Sequence, residues 1–290
     1  MSNDYKKWIY LIVLAIIWGS SFILIKKSLI GLTPIQLGAL RTFIAGVFVL
    51  LIGFKSLKKI KKHQWKYVVV SSLLGTLFPA FFFAFAITGI DSSVASILNS
   101  LTSLNALIIG TLFFGVIFKR IQLFGVLIGL AGTIMLIMES SSLNPNQNYW
   151  YAIFVLTASL GYAFNVNIIK KHLSDIPAMS ITAGHFILLI LPVFLILLFS
   201  GFFSTVEFTP QTNSSILYLI ILSVVGTGLA KIMFNKLIQI STPVFSTSVA
   251  YLIPIVAIIW GFIDGEKVSY LQLLSGIIIL TGIYIVNKVK

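Results

Sequence analysis

The chain has 290 residues, 58% of them hydrophobic and only 9% charged, with a mean hydropathy of +1.07. That composition excludes an ordinary soluble domain, and the absence of cysteine excludes disulfides and thiolate metal sites. The formal charge of +13 raises nucleic acid as a partner, but the basic residues are sorted by loop, which a membrane explains better.

Crossing about 30 Å of hydrocarbon takes roughly 20 apolar residues. Ten runs qualify, at about 8–25, 35–54, 67–87, 94–116, 122–138, 150–168, 179–200, 216–236, 244–263 and 270–287. The first run reads as a span and not as a cleaved signal. It is long, it ends at Lys26-Lys27, and no small-residue cleavage site follows it. Thr33-Pro34 and Thr242-Pro243 mark helix starts, each a capping hydroxyl ahead of a proline at the first helical position.

With ten spans and a cytoplasmic start, the cytoplasmic loops hold Lys6, Lys7, Lys55, Lys58, Lys59, Lys61, Lys62, Lys66, Lys119, Arg120, Lys170, Lys171, Lys236, Lys288 and Lys290. Only Lys26, Lys27 and Lys267 fall outside, and Arg41 and Lys231 fall within spans. Cytoplasmic loops carry such an excess because positive segments resist translocation. Both termini are therefore expected in the cytoplasm, the partner surface is the lipid bilayer, and no nucleic acid is expected. Five of the seven acids, Asp91, Glu139, Glu207, Asp264 and Glu266, fall in outer loops, and none is mid-span.

The chain also repeats. Ile25-Lys26-Lys27-Ser28-Leu29 returns as Ile169-Lys170-Lys171-His172-Leu173, and 122–132 returns as 272–282. Gly75-Thr76 matches Gly226-Thr227, and Gly19-Ser20-Ser21-Phe22 matches Gly161-Tyr162-Ala163-Phe164. Five spans separate the copies that start at Gln122 and Gln272. Five is odd, so the second copy enters the membrane from the opposite side. The expected fold is all-α and membrane-integral: ten helices in two inverted five-helix repeats, 1–143 and 144–290. Inverted repeats are a recurring build of secondary transporters, with the site near the midplane between the halves.

Trp18-Gly19-Ser20-Ser21-Phe22, then Arg41-Thr42-Phe43, then Pro254 followed by Gly265-Glu266, and finally Gln272, Gly276 and Gly282, stand in an order that resembles the EamA-type branch of the drug/metabolite transporter superfamily. The resemblance covers essentially the whole chain. It implies a ten-helix bundle that alternates access and carries small organic solutes, often outward across the inner (plasma) membrane. The first half departs from the pattern: Leu104 stands in the place of Pro254 and Val116 in that of Glu266. A proline kink in span four is therefore not expected.

No enzyme motif, phosphate-binding loop or histidine cluster is present, so neither ATP-driven transport nor a cofactor is expected. Polar residues inside spans are costly and usually face the bundle interior or a wet cavity. The candidates for substrate contact are Trp18, Asn99, Thr102, Ser103, Tyr162, Asn165, Ser248, Tyr251 and Lys231. Asn99, Thr102 and Ser103 share a helical face. The competing reading of each hydroxyl and amide is helix packing. Lys231 either snorkels to the interface or recruits an anionic group. Arg41 and His185, at matched depths in spans two and seven, read as structural or gating residues, and His185 is the internal group that titrates near neutral pH. Gly125, Gly129 and Gly132, with Gly276 and Gly282, let helices approach closely, so spans five and ten either buttress the bundle or form a homodimer contact. Glu266 reads as a helix-start stabiliser. The favoured function is export of small amphipathic metabolites, amino acids or analogues. A proton-coupled drug or multidrug carrier and a non-transporting scaffold are the alternatives.

Overall fold

The computed structural model describes residues 3–115, 120–143, 145–207 and 209–288. Val116, Lys119, Lys290 and residue 144, all named above, lie outside these segments. In chain order the helices are α1 (Asn3–Ser28), α2 (Pro34–Gly53), α3 (Trp65–Ser72), α4 (Phe78–Gly89), α5 (Ser92–Asn99), α6 (Thr102–Phe114), α7 (Arg120–Leu143) and α8 (Ala152–His172). They continue with α9 (Ala178–Phe199), α10 (Phe202–Thr205), α11 (Pro210–Ile221), α12 (Ala230–Ile240), α13 (Pro243–Thr247), α14 (Val249–Ile263) and α15 (Tyr270–Lys288). No strand occurs among the described residues.

The all-helical build follows from the solvent. In hydrocarbon every backbone N–H and C=O must be satisfied within the protein, and a helix does so within one segment. Eight helical stretches are long and apolar enough to cross a bilayer, among them Tyr5–Ser28, Lys62–Gly89, Ser92–Phe114 and Pro210–Ile240. Leu127–Leu143 and Tyr270–Gly282 are shorter apolar helices. The chain is a multi-pass membrane protein. Large apolar side chains such as Leu51, Phe199 and Phe262 are exposed on its outside, as lipid-facing residues are.

Helix starts obey local capping chemistry. The Thr33 hydroxyl accepts from the Gln36 N–H at 3.3 Å, and the Gln36 amide accepts from the Thr33 N–H at 3.0 Å. Thr242 caps α13 through the Phe245 N–H at 3.1 Å. Thr209-Pro210 makes the same start for α11, with Thr212 N–H as donor at 3.2 Å. This third start begins the eighth apolar stretch six residues before hydropathy alone places it.

α7 and α15 lie against each other, and their glycines are the reason. A Cβ added at Gly282 would sit 2.5 Å from the Gly125 carbonyl oxygen and 2.6 Å from the Gly129 nitrogen. The glycine pattern therefore joins these two helices inside one chain.

Polar networks gather at the two ends of the bundle. At one end Lys61 pairs with Asp175 at 3.2 Å, Gln239 Nε2 donates to the Ile176 carbonyl at 2.6 Å, and Lys170 donates to the Ser241 carbonyl at 2.5 Å. At the other end Lys26 pairs with Asp264 at 2.7 Å and Glu266 at 2.8 Å, and Lys27 pairs with Asp264. The Glu266 carboxylate is almost fully buried. It accepts from the Ser92 N–H at 3.2 Å, the Ser92 hydroxyl at 2.6 Å and the Ser93 N–H at 3.1 Å. It is a helix-start stabiliser, but the helix it caps is α5, not the α15 that follows it in sequence. Gly261 makes room for it: a Cβ there would lie 2.6 Å from Glu266 Oε2.

Burial alone would raise Glu266, but the hydrogen bonds from Lys26, Ser92 and Ser93 outweigh it and hold the carboxyl below its usual range. Asp264 is likewise held low: burial opposes, and the hydrogen bonds from Lys26 and Lys27 prevail. A carboxyl whose folded value is depressed stabilises the protein above its unfolded value, and that contribution disappears as pH falls through the folded one. The thermal midpoint in detergent should therefore fall as pH drops below the ordinary carboxylate range. Glu266→Ala should cost about 1.5–3 kcal/mol at neutral pH, the size of hydrogen bonds to a charged group, and should flatten that acid dependence. A variant with an unchanged midpoint and profile would dismiss the cap.

Candidate functional site

Two wide helical turns frame the centre of the molecule. Leu73–Leu77 joins α3 to α4 and Leu222–Leu229 joins α11 to α12, both wound as π-helix. Each contains one of the matched Gly-Thr pairs. Such turns disturb the regular ladder and recur at functional sites. With no water in hydrocarbon to help, the carbonyls around them need donors from elsewhere. Lys231 Nζ on α12 donates to the Gly75 carbonyl, and Trp18 Nε1 on α1 donates to the Gly226 carbonyl at 3.0 Å. Thr227 donates back to the Leu222 carbonyl at 3.1 Å and accepts from Arg41 Nε at 2.7 Å. Glycine is required at both turns because side chains press on them. A Cβ at Gly75 would lie 2.3 Å from the Asn165 amide, and one at Gly226 would lie 2.8 Å from Ser21 Oγ.

Two further helices tighten nearby. Between α5 and α6 the backbone makes i→i−3 bonds, Ser100 to Ile97 at 3.0 Å and Leu101 to Leu98 at 3.2 Å. Between α13 and α14 Ser248 does the same toward Phe245 at 3.2 Å. No proline is needed for either. Hydroxyls compete for the helix carbonyls instead: Ser96 and Ser100 back-bond in the first case, and Ser246, Thr247 and Ser248 in the second. The first half thus has a break without the proline that the second half carries at Pro254. Ser103 Oγ donates to the Thr247 carbonyl at 2.7 Å and ties the two breaks together.

The cavity between these elements has two lobes that share Trp18, Arg41, Tyr162 and Phe234. The apolar lobe adds Phe22, Ile25, Phe83 and Ile253, with Asn99 and Thr102 in its wall. Its rings hold one another edge-on: Trp18 and Phe234 at 4.9 Å, Phe22 and Phe83 at 5.5 Å. The polar lobe adds Gly75, Thr76, Asn165, Thr227 and Lys231. Room for a water-sized sphere amounts to about 70 Å³ in the first and 40 Å³ in the second.

Arg41 and Lys231 are each only 8% exposed. A charge at the bilayer centre costs roughly 2.5–3.5 kcal/mol on insertion scales. No ion pair to Arg41 or Lys231 is found among the described residues, so neither buried cation has a carboxylate there.

The residues expected at a site separate into three groups. Trp18, Asn99, Thr102 and Tyr162 line the apolar lobe, and Asn165 and Lys231 line the polar one. Arg41, read as gating, lies in the wall of both. Ser103, Ser248 and Tyr251 line neither lobe: Ser103 holds the Thr247 carbonyl, Ser248 back-bonds to the Phe245 carbonyl at 2.7 Å, and Tyr251 packs on the apolar core. His185 is fully buried and lines neither lobe, and its ring nitrogens have no hydrogen-bond partner among the described residues. Lys231 does not snorkel: its ammonium turns inward and donates to the Gly75 carbonyl. Sequence reasoning missed Phe22, Phe83 and Phe234, apolar residues among many, and Thr76 and Thr227. The repeated Gly-Thr pair was the available signal for the last two.

Comparison with known proteins bears on this arrangement. The model of the EamA-like transporter family matches residues 6–138 and again 149–288. The chain belongs to that family. It is 27% identical over 286 residues to the uncharacterized inner membrane transporter YedA of Escherichia coli K12, covering 97% of this chain and 90% of that one. It is 24% identical over 288 residues to the uncharacterized transporter YvbV of Bacillus subtilis, covering 94% and 89%. A probable amino-acid metabolite efflux pump of Escherichia coli K12 is 25% identical over 298 residues, covering 97% and 94%. A solved crystal structure superposes with a TM-score of 0.68 over 98% of this chain and 96% of its own, at 16% identity, which is a likeness of fold alone.

Trp18→Phe tests the junction between the turns and the cavity. It keeps a ring against Phe234 and removes the donor to the Gly226 carbonyl. Leaving a buried carbonyl short of its partner should cost about 1–3 kcal/mol in thermal unfolding. Gly75→Ala should cost a similar amount by overpacking against Asn165. If both variants melt with wild type, the carbonyl contacts carry no weight.

Proposed function

We propose that this protein is a secondary transporter, and not an enzyme, that exports small amphipathic metabolites, amino acids or their analogues, by alternating access across the inner membrane. The observation that carries the reading is the two-lobed cavity where α1, α2, α4, α5, α6, α8, α12 and α14 converge beside the two wide turns. Membership of a transporter family and likeness to a probable amino-acid metabolite efflux pump support it. The residues that line the lobes, Trp18, Asn99, Thr102, Tyr162, Asn165, Lys231 and Arg41, are the proposed substrate contacts. Ser103, Ser248 and Tyr251 support them from outside the cavity, and His185 takes no part in substrate contact.

The bundle behind this reading is ten helices in two inverted halves, 1–143 and 144–290, with both termini in the cytoplasm. α7 and α15 would complete the ten. Three facts support inversion. The family model matches twice along the chain. Both halves have a wide Gly-Thr turn and a hydroxyl-tightened break. Finally, α1 finishes at the end of the bundle that holds Glu266, whereas α8 finishes at the end that holds Ser241. The cavity has room for only a few waters, so a metabolite requires the walls to part, and the turns at Gly75 and Gly226 are where α3–α4 and α11–α12 would flex.

The test is efflux from proteoliposomes loaded with amino acids and common metabolites, read by mass spectrometry against protein-free vesicles. A defined class should leave faster without an imposed proton gradient, and Lys231→Ala should slow it at least tenfold. His185→Gln should leave the rate and its independence of the gradient unchanged. No release with or without an inward proton gradient would refute transport of this class. Release only under the gradient would favour proton-coupled efflux.

A further inference from the structure

Every polar side chain that lines the polar lobe, Trp18, Arg41, Thr76, Tyr162, Asn165, Thr227 and Lys231, can donate a hydrogen bond, and none is acidic. Two cations, Arg41 and Lys231, stand in one small cavity with no carboxylate opposite either of them. The guanidinium uses Nε on Thr227, and no hydrogen bond from its two terminal nitrogens is found among the described residues. Two more groups of the same lobe lack partners. Asn165 is fully buried; its Oδ1 accepts from Ser71 at 2.6 Å, which leaves the Nδ2 amide hydrogens unused. The Thr76 hydroxyl, on the wide turn beside Gly75, is buried and unpartnered. Natural interiors leave few buried polar groups unsatisfied, and each exception calls for a reason. Two unsatisfied groups and two cations without a counter-charge around one cavity share a reason if a ligand completes them.

We propose that the lobe is a carboxylate subsite, and that the substrates are amphipathic carboxylates whose apolar tails lie in the adjoining aromatic lobe. The guanidinium presents its free edge as a fork that matches a carboxylate bidentately. Lys231 adds a second charge, and Asn165 and Thr76 supply neutral donors. The room in the lobe, about 40 Å³ for a water-sized sphere, suits one planar headgroup. Trp18, Phe22, Phe83 and Phe234 then receive a ring or a branched chain. A substrate ammonium finds no acidic side chain in the walls of either lobe, so an amine with the same tail is excluded by two like charges in a low-dielectric site. The same arrangement explains why two cations persist in the membrane without protein carboxylates: the compensating charge arrives with the cargo. The inference rests on the transport reading only in calling that cargo a substrate.

Binding in detergent separates the two. Isothermal titration would use 3-phenylpropanoate, phenylalanine, phenethylamine and benzylphosphonate, four probes with one ring and different headgroups. The two carboxylates should bind at least tenfold more tightly than the amine. Lys231→Met, which keeps the stem and removes the charge, and Arg41→Gln should each weaken the carboxylates tenfold or more and leave the amine unchanged or improved. Asn165→Asp, which sets a carboxylate into the lobe, should reverse the order of acid and amine. Each variant is compared at a matched, monodisperse elution volume, and Asn165→Asp guards against the case in which a charge-removing variant fails to fold. Equal affinity for acid and amine, or equal losses on both in Lys231→Met, would overturn the subsite. Tighter binding of benzylphosphonate than of 3-phenylpropanoate would overturn the carboxylate assignment in favour of a phosphate. Carboxylate binding without efflux would sink the transport reading and spare the subsite; efflux without acid preference would do the reverse.

Discussion

A backbone carbonyl inside a bilayer has no water to turn to, and the centre of this protein is organised around that constraint. Wide turns at Leu73–Leu77 and Leu222–Leu229 disturb the helical ladder in the middle of two long apolar stretches. The Gly75 and Gly226 carbonyls are answered by donors from other helices, Lys231 and Trp18. Each contact fixes a side chain, brings two helices together and leaves a charged or aromatic group at the cavity wall. The glycines permit it: with any larger residue, Asn165 and Ser21 would be pushed away.

The same exchange between local strain and distant compensation recurs at the end of the bundle. α5 begins at Ser92 with no side-chain cap from Asp91. Its first N–H groups are satisfied by Glu266, 174 residues further along. Lys26 then balances Glu266, and Asp264 balances Lys27. One buried carboxylate thus ties α1, α5 and the α14–α15 turn. In the cavity the logic is left incomplete. Arg41 and Lys231 have partial hydrogen bonding and no counter-charge, and that imbalance distinguishes the cavity from the end of the bundle.

Much of the architecture was legible because membrane helices answer to length and hydropathy. The apolar runs were found within a few residues of where the helices lie, and Thr33-Pro34 and Thr242-Pro243 start helices as capping chemistry requires. Less of the site was legible. Asn99, Thr102, Ser103, Ser248 and Tyr251 look alike in sequence, as polar groups at mid-span. Asn99 and Thr102 reach the cavity, and the other three do not, because a shift of one residue turns a helical side chain by about 100°. Phe83 and Phe234 carried no signal among 24 phenylalanines, and Phe22 stood in a repeated motif with no role assigned to it.

Sequence by itself determined the class of protein, the approximate helices, the repeated Gly-Thr pair and the absence of a mid-span acid. Those depend on composition and on short-range chemistry, which the chain order displays directly. Tertiary structure decided that Glu266 caps α5 and not its own helix, that Lys231 turns inward to Gly75 rather than to the interface, and that Arg41 shares a cavity with Lys231. Those contacts join residues 156 and 174 positions apart, and the cavity unites two that are further apart still; only helix packing sets their directions.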